Sequence, residues 1–287
     1  MHSEQIGDSY ALHCSFSIGS SCRTWDIHVK KMRTKKKLIP LFLILIVAGV
    51  SIAYLTSDST SSQPTTITDT SKKAIIIDQL NLTYPNQTFV REATVLLEKA
   101  NYEVDYIAGK NVTVDFYRNL PSKNYDLIVF RVHSSASEYG DKPVVLFSSE
   151  NYTQDKYQLG QVTDSIQKVY YDYGEEYYFA ISPKFVNGLD GNFDNATIIH
   201  MGCEGLEQDN MAKAFVGKGA KVFIGWSGDV NAYHSDTATL CFLKEYTLKG
   251  RTVEHARLIT MGEVGSDPVY KSELWYYPEE AGYERIN

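Results

Sequence analysis

From residue 74 onward, short uninterrupted apolar runs alternate with longer segments whose apolar residues recur every three or four positions. A run such as Ala74-Ile-Ile-Ile-Asp78 is apolar towards both sides and reads as a strand buried on both faces. The segment Phe89 to Ala100, with Val90, Ala93, Leu96, Leu97 and Ala100 in helical spacing, reads as the helix that covers it. The pattern continues with a strand over Tyr102 to Ile107, a short helical turn over Val114 to Leu120 and a strand over Asp126 to Arg131. It resumes with a strand over Ala196 to Met201, a helix over Gln208 to Val216, a strand over Ala220 to Gly225, and helices over Thr237 to Leu248 and Thr252 to Thr260. Repeated βα units of this kind predict an α/β fold, a three-layer sandwich around a mostly parallel sheet. Between Ser134 and Asn195 the chain is irregular and Tyr-rich, with a hairpin or insertion expected around Val144 to Phe147 and Tyr177 to Ile181. No internal repeat is present. With 43% hydrophobic and 22% charged residues, the composition excludes a disordered or collagen-like chain.

The residues before this domain obey different rules. Leu38 to Leu55 is eighteen residues without a charge, a length that nearly spans a hydrocarbon core of about 30 Å as a helix. Lys30, Lys31, Arg33, Lys35, Lys36 and Lys37 precede it, and the positive-inside bias then keeps the N-terminus cytoplasmic. The expected organisation is a basic cytoplasmic tail over 1–37, one transmembrane signal anchor over 38–55, a Ser/Thr-rich stalk over 56–73 and an extracytoplasmic domain over 74–287. The segment before Met32 also fits a mis-assigned start. Initiation at Met32 with cleavage near Ser51-Ile52-Ala53 would give a secreted protein instead. Five Asn-x-Thr sequons, at Asn81, Asn86, Asn111, Asn151 and Asn195, all follow the apolar run, as a glycoprotein domain outside the cytoplasm would have them.

Charge excludes one class of partner. Seven of the 28 Lys and Arg residues but only three of the 35 Asp and Glu residues lie before residue 56, so the folded part is strongly acidic. Such a domain repels phosphate backbones, which excludes nucleic acid.

In a parallel sheet, ligands bind beyond the carboxyl ends of the strands, where loops and exposed N–H groups converge. His133 directly follows the third strand and Cys203 follows the next regular strand, in Ile199-His-Met-Gly-Cys-Glu-Gly-Leu206. Topology places the two side by side. A Cys between glycines at a strand end is accessible, and a neighbouring imidazole can take its proton, which is the chemistry of acyl transfer. Backbone N–H groups at Cys203 and Ser134 are candidate donors to the oxyanion.

Three segments resemble the caspase-like cysteine peptidases, the group that includes caspases, legumains, clostripain, gingipains, separase and the CHAT domains. Tyr125-Asp-Leu-Ile-Val-Phe-Arg-Val-His133 is similar to the strand that ends in their catalytic His. Ile198-Ile-His-Met-Gly-Cys-Glu-Gly205 is similar to the strand that ends in their catalytic Cys. Met211 to Trp226 resembles the helix and strand that follow in CHAT domains, and a later segment, Lys249 to Ala256, completes the likeness. The resemblance implies a caspase-like sheet and a peptidase with His133 as base and Cys203 as nucleophile. It departs from the family at Ser134, where glycine usually follows the catalytic His.

Other readings of these residues stay open at this level. Cys203 and Cys241 can form a disulfide. His200 and Cys203 are three apart, but strand alternation separates them and no second paired-ligand motif exists, so no metal is expected. No organic cofactor is expected either. Asp229 and Glu204 flank the site and can select a basic residue before the cleaved bond, and Trp226 can line the pocket; the alternatives are solvated acids and a core indole. Besides a peptidase, the chain fits a surface binding module that has lost catalysis, or a different Cys hydrolase that uses His234 or His255. The partner expected of the first is a peptide or protein substrate, with the membrane contacted through 38–55.

Overall fold

The computed structural model describes residues 72–136, 143–170 and 176–286. In chain order the elements are β1 (Lys72–Asp78), α1 (Gln87–Lys99), β2 (Tyr102–Ala108), α2 (Val114–Asn119), β3 (Leu127–Arg131), β4 (Ser134–Ala136), β5 (Val144–Asn151), α3 (Gln158–Val162) and β6 (Ile166–Tyr170). They continue with β7 (Tyr177–Ile181), α4 (Pro183–Asn187), β8 (Thr197–His200), α5 (Asn210–Gly217), β9 (Val222–Trp226), α6 (Ala232–Leu243), α7 (Val253–Glu263) and β10 (Leu274–Tyr277). The main sheet runs β10-β9-β8-β3-β1-β2. Its first five strands in the chain are mutually parallel and only β10, paired to β9, is antiparallel. The structure is therefore α/β with a mostly parallel sheet.

Alternation along each strand sorts the core into two faces. Ile75, Ile77, Ile128, Phe130, Ile198 and Phe223 pack on one side against α2, α4 and α5, through Tyr117, Phe185 and Phe215 among others. Ala74, Ile76, Val129, Ile199 and Ile224 pack on the other against α1, α6 and α7, through Phe89, Leu97, Phe242 and Val253. Two helical layers thus enclose the sheet. Every residue of β3 and β8 is buried: Leu127 to Phe130 and Ile198-Ile199 are apolar on both faces, while Arg131, Thr197 and His200 are polar groups buried at the strand ends.

The irregular middle forms a second, four-stranded antiparallel sheet in the order β4-β5-β7-β6. The two segments singled out there do pair, Leu146 with Ile181 and Phe147 with Ala180, but the chain between them inserts α3 and β6. Two boundaries also move. β1 begins at Lys72, so the last two residues of the expected stalk are strand. Helix α6 begins at Ala232 rather than Thr237, because the Asn231 side chain accepts the Tyr233 and His234 N–H groups and starts the helix there. Among the described residues no helix is long and apolar enough to cross a membrane; the expected anchor at 38–55 and its basic tail lie outside them.

Candidate active site

The strand order reverses between β1 and β3, and the carboxyl ends of β3 and β8 lie beside that switch, with Phe130 paired to His200. The chain past each strand then stays in contact with its neighbour. A Cβ on Gly202 would fall onto the Val132 carbonyl oxygen and Ser134 Oγ, so only glycine permits this approach. The Ser134 hydroxyl donates to the Cys203 carbonyl at 2.5 Å, and the Ala136 N–H donates to the Glu204 carboxylate. The segments carrying His133 and Cys203 are therefore joined directly.

His133 is half-buried and tied at three points. Its N–H donates to Gln79 Oε1 at 2.9 Å, its carbonyl accepts the Phe147 N–H at 2.9 Å, and its Nε2 lies 2.9 Å from Thr83 Oγ1. The ring sits between Tyr84 and Phe147, with centroids at 5.9 and 6.0 Å. Burial, reinforced by the neighbouring Arg131 cation, pushes its pKa down to about 4, so the imidazole is neutral at pH 7. Arg131 has no exposed surface. It donates to Asp78 at 2.7 Å, to both oxygens of Asp236 at 2.7 and 2.9 Å, and to the Tyr84 carbonyl at 2.8 Å. Gln79, Thr83 and Arg131 were not among the residues the sequence singles out. Their signal was available in the topology, since the carboxyl end of β1 must adjoin that of β3.

Cys203 and Cys241 are both free thiols, which removes the disulfide between them. Cys241 donates instead to Glu263 Oε2 at 3.5 Å. The Cys203 thiol donates to the Val230 carbonyl at 3.7 Å. Burial pushes its pKa up to about 12; the Val230 bond works against that, and the Asp229 and Glu204 carboxylates add to it. At rest Cys203 is thus a thiol and His133 a neutral imidazole.

Strand geometry fixes the direction of the neighbouring amides. Because the Phe147 N–H bonds the His133 carbonyl, Ser134 and Leu146 face each other as a non-hydrogen-bonded pair. The Ser134 N–H consequently points away from β5, on the side to which the Ala136 N–H also points to reach Glu204. The Glu204 N–H is used by the Gly228 carbonyl at 2.9 Å, whereas the Cys203 N–H bonds no acceptor among the described residues.

The remaining sequence candidates separate. Trp226 does not line a pocket: it has no exposed surface, and its indole N–H donates to Ser235 at 2.9 Å in the core between β9 and α6. Asp229 is exposed beside the Cys203 thiol. Glu204 is half-buried, and burial together with the Glu207 and Asp229 carboxylates pushes its pKa up. His234 Nε2 lies 3.1 Å from the Gly265 carbonyl, with its ring on Trp226, and His255 is exposed in the first turn of α7. His200 is fully buried with neither ring nitrogen hydrogen-bonded, its Nδ1 against Gly205. Among the described residues no three His, Cys, Asp or Glu side chains are grouped to hold a metal ion.

No family model and no curated protein matches the chain. Among solved structures, it is similar to the Arg-specific cysteine proteinase gingipain R, with a TM-score of 0.44 and 10% identity over 74% of this chain. The alignment spans 44% of the gingipain chain. It is also similar to the Drosophila initiator caspase Dronc, with a TM-score of 0.35 and 11% identity, covering 75% of this chain and 84% of that one. A gingipain and a caspase both belong to the group that the strand-end segments resemble. At such identities no residue role transfers from either.

Proposed function

We propose that the chain is a caspase-like cysteine peptidase in which His133 is the base and Cys203 the nucleophile. The observation that carries this is the direct junction of the two strand-end segments, Ser134 Oγ on the Cys203 carbonyl. If Nε2–H of His133 donates to Thr83, Nδ1 carries the lone pair that takes the proton. As Sγ bonds the substrate carbonyl carbon, the thiol proton passes to that nitrogen, and the negative charge moves onto the carbonyl oxygen. The N–H groups of Ser134 and Cys203 stabilise that oxygen. The imidazolium then protonates the departing amine, leaving a thioester that water hydrolyses. Because thiol and imidazole are both neutral at rest, proton transfer and attack belong to one step. The exposed Asp229 carboxylate beside the thiol favours a basic residue before the cleaved bond.

The test is labelling by a thiol-directed peptide probe together with cleavage of a peptide library. Cys203→Ala and His133→Ala are each expected to abolish cleavage. Loss on His234→Ala with His133→Ala unaffected would move the dyad elsewhere.

We further infer that the domain lies outside the cytoplasm, tethered through 38–55. The charge-free run with its basic flank and the sequons beyond it support this. Digestion of sealed cells from outside should remove the domain, and survival of the domain would refute the placement.

A second reading, a binding module without catalysis, is favoured by the high thiol pKa and by Ser134 in place of glycine. It stands if Cys203→Ala leaves partner binding intact and the wild-type chain cleaves no peptide.

A further inference from the structure

Resting on the peptidase reading, we propose that Ser134 and Glu204 are positioning residues, a brace of two side chains that holds the nucleophile's turn against the segment after the base. The peptide between Cys203 and Glu204 is held at both ends: its carbonyl accepts from Ser134 Oγ at 2.5 Å and its N–H donates to the Gly228 carbonyl at 2.9 Å. Held in this way, it cannot flip. Glu204 itself sits at φ +57°, a left-handed conformation that a residue with a side chain adopts at a cost, and one that surrounding bonds must maintain. Its carboxylate reaches across to the Ala136 N–H, on the edge of β4 that also carries the Ser134 N–H. Each segment therefore contributes one side chain to the other's backbone. Gly202 allows the contact, because any Cβ there would displace Ser134 Oγ. The Ser134 hydroxyl thus has a task that a glycine could not perform, and Glu204 acts through the backbone and not on substrate.

The experiment compares the full-length wild-type chain with Ser134→Ala, Ser134→Gly, Glu204→Gln and Glu204→Gly, measuring peptide hydrolysis and the rate of Cys203 alkylation by iodoacetamide. Alkylation displaces iodide and forms no oxyanion, so it reports the thiol and not the aim of the amides. Losing the hydroxyl is expected to lower kcat about tenfold or more, with KM and the alkylation rate within about twofold. Glu204→Gln, which keeps an acceptor for Ala136, is expected to retain more turnover than Glu204→Gly. Turnover in Ser134→Ala and Ser134→Gly equal to wild type overturns the inference. A parallel fall of alkylation and turnover also overturns it, since that marks general damage to the site. If the wild type cleaves no peptide, the peptidase reading fails separately and the brace is read from amide exchange at Glu204. Faster exchange in Ser134→Ala then supports the brace, and unchanged exchange overturns it.

Discussion

Burial and two carboxylates both disfavour the Cys203 thiolate, while burial and Arg131 both disfavour the His133 imidazolium. Together these shifts determine how the thiol reacts outside turnover. With its pKa pushed up to about 12, the alkylation rate of Cys203 is expected to rise roughly tenfold per pH unit from pH 7 to 9, following the thiolate fraction. A plateau below pH 8 would reveal a preformed ion pair and refute this account. Thr83 supplies a second expectation, because its hydroxyl is the group at Nε2 of His133. Thr83→Ala should lower kcat about tenfold with KM little changed, and Thr83→Ser should restore it. Equal kcat in wild type and Thr83→Ala would refute the role. The positions of His133 and Cys203 past neighbouring strands were legible from apolar runs alone. Gln79 and Thr83 could be placed near His133 only by way of the pairing of β1 with β3, and Val230 not at all, because it meets Cys203 across a contact that only the packing of separate loops creates.

Among the elements, α1, α6, β1 and β3 converge on Arg131. Asp78 ends β1, Asp236 lies on α6, and Asn86 both caps α1 and donates to Asp236 at 2.8 Å. Arg131→Met would leave two buried carboxylates without their cation, and is expected to cost about 3–5 kcal/mol in chemical unfolding. A loss under about 1 kcal/mol would show that water replaces the guanidinium. The same network gives the sequon at Asn86 a structural role, since its amide is already committed at both ends. The long strands and helices were legible because their burial repeats in the sequence with a fixed period. The short β4, the half-exposed β6 and the antiparallel β10 were not. Three to five residues carry too little periodicity, and the pairing of β10 with β9 follows from where α7 ends its course. The early start of α6 was marked by Asn231, a capping residue whose signal was outweighed by the polar Tyr233-His-Ser-Asp236 that follows.

For the whole molecule, two imidazoles held neutral by their surroundings, the fully buried His200 and the half-buried His133, contribute to the response to acid. Burial pushes His200 down to about 3, and His133 is held at about 4. Unfolding returns both towards about 6.5, so below that pH the unfolded chain binds more protons than the folded one. Stability is then present in full above pH 6.5 and is lost as pH falls towards the folded values, by up to about 2.7 kcal/mol per pH unit for two protons. Glu204 works in the opposite sense, since its raised carboxyl binds a proton more readily when folded, and it offsets part of the loss as pH falls through its raised folded value. The two histidines both act against the fold as pH falls below 6.5. His200 has no hydrogen-bond partner and no charged group contributes to its shift, so nothing in the fold accommodates its cation. Urea unfolding followed as pH falls below about 6.5 is expected to show the full dependence in the wild type and about half of it in His200→Leu, with His133 left to supply the remainder. A slope unchanged by His200→Leu would mean that this imidazole takes up its proton as readily in the fold as in water, and that the glycines at 202 and 205 leave it more room than their packing against its two nitrogens allows.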